Sequence, residues 1–430
     1  MTMSDIRAYV MQHELFNHHD HQQGYTEIEQ GRDGYDFTSL FGYADADLAC
    51  AAGTDVDVKA ISRQELATLW QAIRLTGYGR AVDLGSRALF GIPFAPDRWD
   101  EITAALQARL AGKSSAEIYA DMLAAAQIKW TINDCYWLPL ESWSAAMPSF
   151  PSSYRATWRM DELFSAVDMT PFKALARATG RNVYSVSGAV QALNEAIGLM
   201  QATGRLAAIK IGMAYQRDLT ITDPTLHEAE LAFNGLRNPV VGGTSLQQRS
   251  GAVDARTARP LGDYLLQRLF ERASDDNIPV QIHTGYLAGS WGALEATRAM
   301  RLLPVLDKYR SVRFDLFHAS WPWCAELGAI AKEFPNVWPD LCWMWAMNPG
   351  EAERALDGWL DAMPFTKIFG FGSDTGLPWC VVGYALQAKI GIANVLERRV
   401  RGGLYSEADA REVADHLLLL NGQIFFGLGD

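Results

Sequence analysis

Short apolar runs that alternate with longer amphipathic segments are the main pattern of this chain. The runs are rich in β-branched and aromatic residues, which favours β-strands. The segments between them repeat apolar residues at intervals of three and four, which predicts helices. Strands that alternate with helices indicate a parallel sheet with helices outside it. In the second half the runs are Leu206–Tyr215, Pro279–Gly285, Val312–Ala319, Asn336–Trp343 and Lys367–Asp374.

Three further strands are predicted in the first half of the chain, which brings the expected number to eight. They are Glu14–His21, Ile128–Tyr136 and Arg155–Asp161. Eight such strands, each followed by a polar or glycine-marked end, suit a closed barrel better than an open sheet. We therefore expect an α/β protein in which residues 1–430 form a single (β/α)8 TIM barrel.

Two connections are longer than a strand-to-helix unit needs. The first follows the first strand, and its residues at about 35–125 predict helices. The second, at about 217–262, is a smaller loop insertion that holds the turn-rich stretch LRNPVVGGTSLQQRSGAV. Loops that follow barrel strands lie at the active-site face, so we expect both insertions to cover the substrate.

Charge and composition narrow the class of partner. The net charge is −12 and no basic face is visible, which argues against binding to nucleic acid. The five cysteines form no CxxC pair, so neither a disulfide framework nor a cysteine-zinc site is indicated. The N-terminus lacks the pattern of a signal peptide, and no stretch approaches the roughly 20 apolar residues of a membrane span. We expect a soluble, cytoplasmic homo-oligomer that acts on a small molecule.

Histidines and an aspartate stand at the ends of four predicted strands. The first strand ends in FNHHDHQQ, in which His19 and His21 are two positions apart and so face the same side. The fifth strand ends in His283, the sixth in His318 and the eighth in Asp374. These side chains meet at one place if the strands close into a barrel. The pattern therefore predicts a centre for a divalent metal ion.

Each of these residues taken alone has a plainer interpretation. His283 or His318 could be a hydrogen-bonded core histidine, and Asp374 could cap a helix. His13 and His18, which neighbour the first pair, are expected to lie at the surface or to pack. The coincidence at four strand ends is what favours a metal centre.

Lys210, in the middle of the fourth predicted strand, leaves three alternatives open. A buried ammonium is costly, so the amine could be carbamylated and bridge two metal ions. It could also bind a substrate carboxylate as a cation, or pair with a nearby acid. Whether the centre holds one ion or two depends on this lysine.

A resemblance to a known family rests on five segments and extends over essentially the whole chain. The segments are LFNHHDH, AAIKIGMAYQRDL, PLGDYLLQRLFERASDDNIPVQIHTGY, FHASWPWCAELGAIAKEFPNVWPDL and IFGFGSD. With them the chain resembles the amidohydrolase superfamily. Within that superfamily it is similar to the amidohydrolase-2 branch, which includes the amidohydrolase-like part of nodulin- and glutamine-synthetase-linked proteins.

The resemblance implies a ligand set and a mechanism. A divalent ion, zinc or alternatively manganese, would be held by His19, His21 and Asp374, with His283 as a further ligand. His318 would bind a second ion or a water on the first. Asp374 is implied as the general base that takes a proton from that water and later returns it to the leaving group.

Two features are similar to the uronate isomerases, which border on this branch. The helical insertion after the first strand is of the same kind, and TWRMD resembles the segment in which those enzymes place a substrate-binding arginine. That arginine corresponds to Arg159. The chain departs from the isomerases after Asp374, where Thr375 and Gly376 replace a Ser-Arg pair. The departure puts isomerisation of a sugar acid in doubt.

Two groups of residues suggest what the substrate is. Arg159 and Arg217 could clamp a carboxylate, although ordinary salt bridges would also explain them. Trp321 and Trp343, at the predicted rim, would suit a ring-bearing or partly apolar substrate, although they could equally pack in the core or in a lid. For Trp338 we expect core packing.

Hydrolysis of an amide, lactone or related bond in a small carboxylate-bearing molecule is the leading hypothesis. Decarboxylation of an aromatic or unsaturated acid is the first alternative, and isomerisation of a sugar acid is the next. A catalytically silent barrel is the alternative outside enzymes. The complete set of expected ligands argues against that last interpretation.

Overall fold

Seven parallel strands follow one another in sequence order around a curled sheet. The computed structural model describes residues 5–237 and 255–429. The strands are β1 Leu15–Asp20, β2 Ile128–Asp134, β3 Tyr154–Arg159, β4 Leu206–Ile211, β5 Val280–Ile282, β6 Phe314–Leu316 and β7 Val337–Pro339. Helices lie in the connections between them. The predicted α/β barrel is thereby confirmed.

The eighth predicted strand, Lys367–Asp374, closes the barrel without forming a regular strand. On one side Leu341 N donates to Phe369 O at 3.0 Å, and on the other His18 N donates to Phe371 O at 3.2 Å. The segment therefore bridges β7 and β1, although its ladder is a single isolated pair. The prediction of eight regular strands is corrected to seven strands and one extended segment. Two glycines in the segment weaken a strand, and its final aspartate has a left-handed φ of 50°.

The long connection between β1 and β2 is helical, and part of it packs around aromatic rings of its own. The Trp70 ring lies 4.7 Å from that of Phe94, and the Trp99 ring lies 4.4 Å from that of Phe37. Both tryptophans are fully buried. The helices of this insertion are Tyr25–Gly31, Asp45–Ala52, Arg63–Ile73, Gly77–Phe90, Trp99–Leu110 and Ser115–Ala126.

The connection between β4 and β5, predicted as a loop insertion at about 217–262, contains helices on both sides of its centre. Two described helices of this connection are Leu226–Arg237 and Ala255–Asp275. Most of the turn-rich stretch LRNPVVGGTSLQQRSGAV lies outside the described residues. The described part of the insertion is therefore more helical than the turn residues suggested, because apolar residues at helical spacing flank them.

The remaining helices follow the strands or flank the barrel. They are Asp5–Gln12, Trp143–Ala146, Asp161–Phe164, Thr170–Thr179, Val186–Ala202, Leu303–Lys308, Cys324–Glu333, Met344–Met347, Pro349–Ala362, Glu407–Asp415 and Asn421–Phe426. A longer helix, Pro378–Arg401, follows the closing segment. By length and composition alone this helix could cross a membrane, but 83% of its most apolar window is buried inside the protein, as in a core helix.

Candidate metal centre

The end of β1 brings two imidazoles together, with their ring centroids 4.7 Å apart and their planes nearly perpendicular. His19 Nε2 and His21 Nε2 lie 3.3 Å apart, and both residues are largely buried. The pairing of β1 with β2 shifts register between Asn17 and Asp20, so the histidines lie at an irregularity of the strand. His21 Nδ1 donates to Asp134 O at 2.9 Å, which leaves Nε2 with a lone pair in the neutral ring. Two ring nitrogens so close together need a shared proton or a shared cation.

Asp374 connects this pair with the histidines of the opposite strands. Its Oδ1 lies 3.1 Å from His21 Nε2 and 3.8 Å from His19 Nε2. Its Oδ2 lies 3.5 Å from His318 Nε2, and that nitrogen is 3.2 Å from His283 Nδ1. Three of the four predicted histidines, His19, His21 and His318, therefore lie within 3.8 Å of this carboxylate, and His283 adjoins them through His318.

Asp20, between the two histidines in sequence, fastens the centre to the closing segment. Its side chain is fully buried and accepts five hydrogen bonds. The donors are His21 N, Thr375 N, Asn17 Nδ2, Gln22 Nε2 and Ser373 Oγ. Burial raises the pKa of Asp20 to about 6 although these hydrogen bonds act against the rise. Asp20 was not predicted from the sequence, because its role depends on contacts with Ser373 and Thr375, which lie far along the chain.

The backbone around His318 is held in an unusual conformation. His318, Ala319 and Ser320 have φ values of 60°, 52° and 48°, in the left-handed region that side chains rarely adopt. Asp340 supports this turn, because its Oδ1 accepts from His318 N at 2.7 Å and its O accepts from Ala319 N at 2.9 Å. Strain of this kind persists only where the surrounding structure enforces it, as at binding and catalytic sites.

Burial and charge give the imidazoles of the centre different pKa values. Burial lowers the pKa of His19 and His283 well below the usual value, with nearby cationic groups adding to the effect. Burial also acts to lower the pKa of His21, but the Asp374 carboxylate outweighs it and the net shift is upward. For Asp374 burial acts upward, yet the hydrogen bond and charge of His21 bring the pKa to about 2. Neutral imidazoles and an ionised carboxylate are the forms that bind metal ions.

Lys210 is buried beside the centre and has no hydrogen-bond partner for its Nζ among the described residues. The Nζ atom lies 3.1 Å from the centroid of the Phe317 ring. Burial lowers the pKa of Lys210 to about 8, against the attraction of Asp134 and Asp374. A partly neutral amine is compatible with each of the three alternatives for this lysine, so the prediction of a carbamylated ligand stays a prediction.

Arg159 and Arg217, both predicted to bind substrate, have different surroundings. Arg159 pairs with Asp161 through Nε and with Asp134 through Nη1 at 3.1 Å, and Asp134 is the residue whose carbonyl holds His21. Arg159 therefore lies at the centre. Arg217 instead pairs with the fully buried Asp263 on the helix Ala255–Asp275. This contact is an intramolecular salt bridge, the alternative that the sequence left open for Arg217, and the expectation that Arg217 clamps a substrate stays a prediction.

An aromatic wall lies beside His318. The ring of Trp343 is 5.3 Å from that of His318, 5.6 Å from Tyr43 and 5.7 Å from Tyr286. Trp321 joins the wall through Tyr286, at 5.2 Å. Both tryptophans predicted at the rim therefore lie near the histidines. Trp338 is apart from them and packs on Phe425 at 5.1 Å, but it is only partly buried, so the expected core packing is partial.

A cavity of about 720 Å³ opens between His21 and the helical insertion. Tyr35, Tyr43, Tyr136 and Trp137 line it together with Thr375, which follows Asp374. Its walls thus come from the insertion, from the loop after β2 and from the closing segment. No periodicity in the sequence pointed to Tyr35 or Tyr43, since they come from irregular parts of the insertion.

The residues present fit a divalent metal ion. Two groups of candidate ligands occur here, each with its ligand atoms within 4.8 Å of one another. They are His19, His21 and Asp134, and His318, Cys342 and Asp374. Imidazole nitrogens combined with carboxylate oxygens are the donors that zinc and manganese accept. Asp134 and Cys342 were not predicted, although Asp134 could have been found because it lies near the end of the predicted strand Ile128–Tyr136.

Comparison with known proteins gives one family and one fold. The family model described as Amidohydrolase matches residues 180–414. Protein fluG of Emericella nidulans is 26% identical over 187 residues, which is 40% of this chain and 20% of fluG. The matched segment is thus a small part of that relative.

Solved structures of similar fold include three sugar-acid isomerases. Uronate isomerase of Thermotoga maritima has a TM-score of 0.77 at 13% identity, over 98% of this chain and 96% of that one. Glucuronate isomerase of Caulobacter crescentus has a TM-score of 0.75 at 15% identity, over 99% of this chain and 93% of that one. Uronate isomerase of Bacillus halodurans has a TM-score of 0.72 at 17% identity, over 99% of this chain and 96% of that one. At these identities the likeness concerns the fold, including the helical insertion.

Proposed function

Because this chain belongs to the amidohydrolase family, we propose that it is a metal-dependent hydrolase of an amide, lactone or related bond in a small anionic substrate. The observation that supports this proposal most is the convergence of three imidazoles on Asp374, with His21 Nε2 at 3.1 Å and His19 Nε2 at 3.8 Å from its Oδ1 and His318 Nε2 at 3.5 Å from its Oδ2. A set of facing acceptor atoms in a buried place is stable when a cation lies among them.

His19, His21 and Asp374 are the proposed ligands, with His283 and His318 on the opposite side. A divalent cation bound there supplies Lewis acidity, which acidifies water and polarises a carbonyl oxygen. Asp374 is ionised at neutral pH, because the hydrogen bond and charge of His21 lower its pKa to about 2, and its carboxylate could accept a proton from water. The same carboxyl group can then protonate the leaving group.

The proposed substrate is anionic, because Arg159 stands next to the ligands. Burial acts to lower the pKa of Arg159, but Asp161 and Asp134 outweigh it, so the guanidinium stays charged. The Arg159 side chain is 18% exposed, and its Cζ lies 5.5 Å from the centroid of the Tyr136 ring, which lines the cavity. A divalent cation adds positive charge at the same place, and a substrate carboxylate would interact with both. The aromatic lining favours a substrate with a ring or an apolar part.

Two measurements test the proposal. Elemental analysis of protein purified without added metal should find about one or two equivalents of zinc or manganese per chain, as the donor set predicts. A library of N-acyl amino acids, lactones, aromatic acids and uronic acids should then be assayed for hydrolysis, CO₂ release and aldose–ketose conversion. Hydrolysis of one class, abolished by a chelator and restored by metal, is the expected result. Metal-free protein with no metal-restored activity would overturn the proposal.

Isomerisation of a sugar acid is the second candidate. It is favoured by the shared fold with uronate isomerases, which extends over 98% of this chain and includes the insertion. Against it, Thr375 and Gly376 follow Asp374, so an arginine expected from the isomerases is missing. Conversion of a uronate without hydrolysis of any library member would select this candidate instead.

A further inference from the structure

A second cluster of potential metal ligands lies in the barrel interior, apart from the centre described above. His18 from β1, Asp315 from β6 and Asp340, which follows β7, each offer one ligand atom within 4.8 Å of the others. All three residues are buried, with at most 1% of their surface exposed. Barrel interiors are ordinarily filled by branched apolar side chains, so three charged or polar groups there require an explanation.

The tautomer of His18 follows from its surroundings. His18 Nδ1 lies 2.6 Å from the carbonyl oxygen of Phe371, which can only accept, so Nδ1 carries the hydrogen. In the neutral ring Nε2 then has a lone pair. That lone pair faces Asp340 Oδ2, a carboxylate oxygen, at 3.0 Å. Two acceptors at this distance repel each other unless a proton or a cation lies between them.

Each carboxylate has one oxygen engaged and one free. Asp340 Oδ1 accepts from His318 N and Cys342 N, and Asp315 Oδ2 accepts from Gln281 Nε2 at 3.0 Å. The other oxygens, Asp340 Oδ2 and Asp315 Oδ1, have no hydrogen-bond donor among the described residues, and neither has His18 Nε2. One nitrogen and two oxygens without donors therefore converge on the same small volume.

In the described part of the chain, the carboxyl groups of this cluster are not paired with lysine or arginine. Among the residues that the structure describes, no lysine or arginine forms an ion pair with Asp315 or Asp340. Lys210, whose charge acts on Asp315, has its Nζ over the Phe317 ring and without a hydrogen-bond partner. Two buried carboxyl groups whose oxygens lie within 4.8 Å of each other cannot both stay charged unless a proton or a cation lies between them.

We propose that His18, Asp315 and Asp340 form an inner site for a divalent cation, separate from the centre of His19, His21 and Asp374. A single ion satisfies all three unpartnered atoms together, whereas without an ion two protons are needed, one between His18 and Asp340 and one between Asp340 and Asp315. One imidazole nitrogen with two carboxylate oxygens suits zinc or manganese.

The inner site adjoins the outer centre through Asp340. One oxygen of Asp340 holds the backbone of His318, and the other belongs to the inner set. The inner ion therefore has a structural effect on the position of a proposed outer ligand. This inference concerns metal binding and does not rest on the reaction proposed above.

Metal content of matched variants tests the inner site. Protein purified without added metal is analysed as wild type, as Asp315→Asn and as the double variant His19→Gln/His21→Gln. The wild type should hold one ion more than Asp315→Asn, and the double variant should keep the inner ion. Asp263→Asn is the control, because this equally buried carboxylate pairs with Arg217 and belongs to neither cluster. Its metal content should equal that of the wild type.

Anomalous X-ray diffraction of wild-type crystals at the metal edge gives a readout that does not depend on variants folding. The expected map has a peak among His18, Asp315 and Asp340 besides the peak at the outer centre. A second ion near Lys210 would instead show a bridged outer centre. Density confined to the outer centre, or equal metal content in Asp315→Asn and wild type, would overturn the inner site and leave shared protons as the explanation of the cluster.

Discussion

Asp20 Oδ1 accepts a hydrogen bond from Thr375 N at 2.7 Å, so the end of β1 is tied directly to the residue that follows Asp374. The same carboxylate also holds His21 N. One buried side chain thus sets the distance between the first two proposed ligands and the last.

Replacement of Asp20 by Asn should loosen the centre. An amide offers one accepting oxygen and places its own N–H groups against existing donors, so we expect a loss of about 2 kcal/mol of unfolding free energy. Metal affinity should fall about 10- to 100-fold, as for other residues that orient metal ligands. Urea unfolding of the chelated protein and a competition titration with a metal indicator measure the two effects.

Asp307→Asn is the control for that experiment. Asp307 forms an exposed ion pair with Arg310, and such pairs contribute less than about 1 kcal/mol. It should leave metal affinity unchanged. Wild-type affinity in Asp20→Asn would contradict the positioning role of Asp20.

Replacement of Asp374 by Asn should lower kcat by about 10²- to 10⁴-fold, because the proposed proton acceptor is lost. The imidazole nitrogens remain, so metal should still bind, with lower affinity. Steady-state kinetics at saturating metal, with metal content determined on the same samples, separate the two effects. Asp361→Asn, which removes an exposed carboxylate, should retain wild-type activity. If Asp374→Asn is active and Asp134→Asn is not, the proton acceptor is Asp134.

Replacement of Gly212 by Ala should displace Arg159. A Cβ at this position would lie 2.1 Å from Arg159 Nη2, whereas the backbone φ of −113° accepts alanine. If Arg159 binds the substrate carboxylate, KM should rise about 10-fold with little change in kcat, since about 1.4 kcal/mol of uniform binding is lost. Metal content should not change, which separates this effect from damage to the centre.

Gly198→Ala is the matched control for Gly212→Ala. Gly198 lies in the helix Val186–Ala202, and an added Cβ meets nothing within 4 Å. This variant should gain about 0.5–1 kcal/mol of stability from helix propensity, with KM unchanged. An unchanged KM in Gly212→Ala as well would show that Arg159 is not a substrate contact.

The Asp218–Arg259 pair should make stability depend on acid pH. Two hydrogen bonds from Arg259, at 2.8 and 3.0 Å, lower the pKa of Asp218. A carboxylate with a depressed pKa in the folded state stabilises the protein above its unfolded pKa of about 4, and this contribution is lost as pH falls below that value. Because both side chains are partly exposed, we expect about 1 kcal/mol at pH 7.

A double-mutant cycle with Asp218→Asn and Arg259→Gln measures this contribution by urea unfolding at several pH values. The coupling should be largest at neutral pH and should decrease as pH falls below about 4. A coupling that is constant from neutral to strongly acidic pH would contradict the assignment of the depressed pKa to this pair.

Much of the fold could be read from the sequence, because the signals that define it are local. All seven regular strands overlap the predicted runs, and the insertion after β1 is helical as its periodicity indicates. The eighth run was predicted as a strand on the same grounds. Its glycines and the left-handed Asp374 prevent a regular ladder, and only its neighbours on both sides hold it in the barrel.

The order and type of the proposed ligands were determined by the sequence alone. Alternation along a strand puts His19 and His21 on one side, and the ends of parallel strands meet at one edge. What only the tertiary structure decided was which side chains are engaged elsewhere. Arg217 has the right chemistry for a carboxylate but pairs with Asp263, which lies on a helix far along the chain. Tyr43 reaches the site from an irregular part of the insertion.

His18 shows most clearly the difference between what the sequence determines and what the tertiary structure decides. The sequence distinguishes it from His19 only by its position, and we expected it at the surface or in packing. The closed barrel buries it against Asp315 on β6 and Asp340 just after β7, which come about 300 residues later in the chain. Local sequence determines which way a side chain faces on its own strand. Its partners depend on strand register and barrel closure, which are properties of the whole chain.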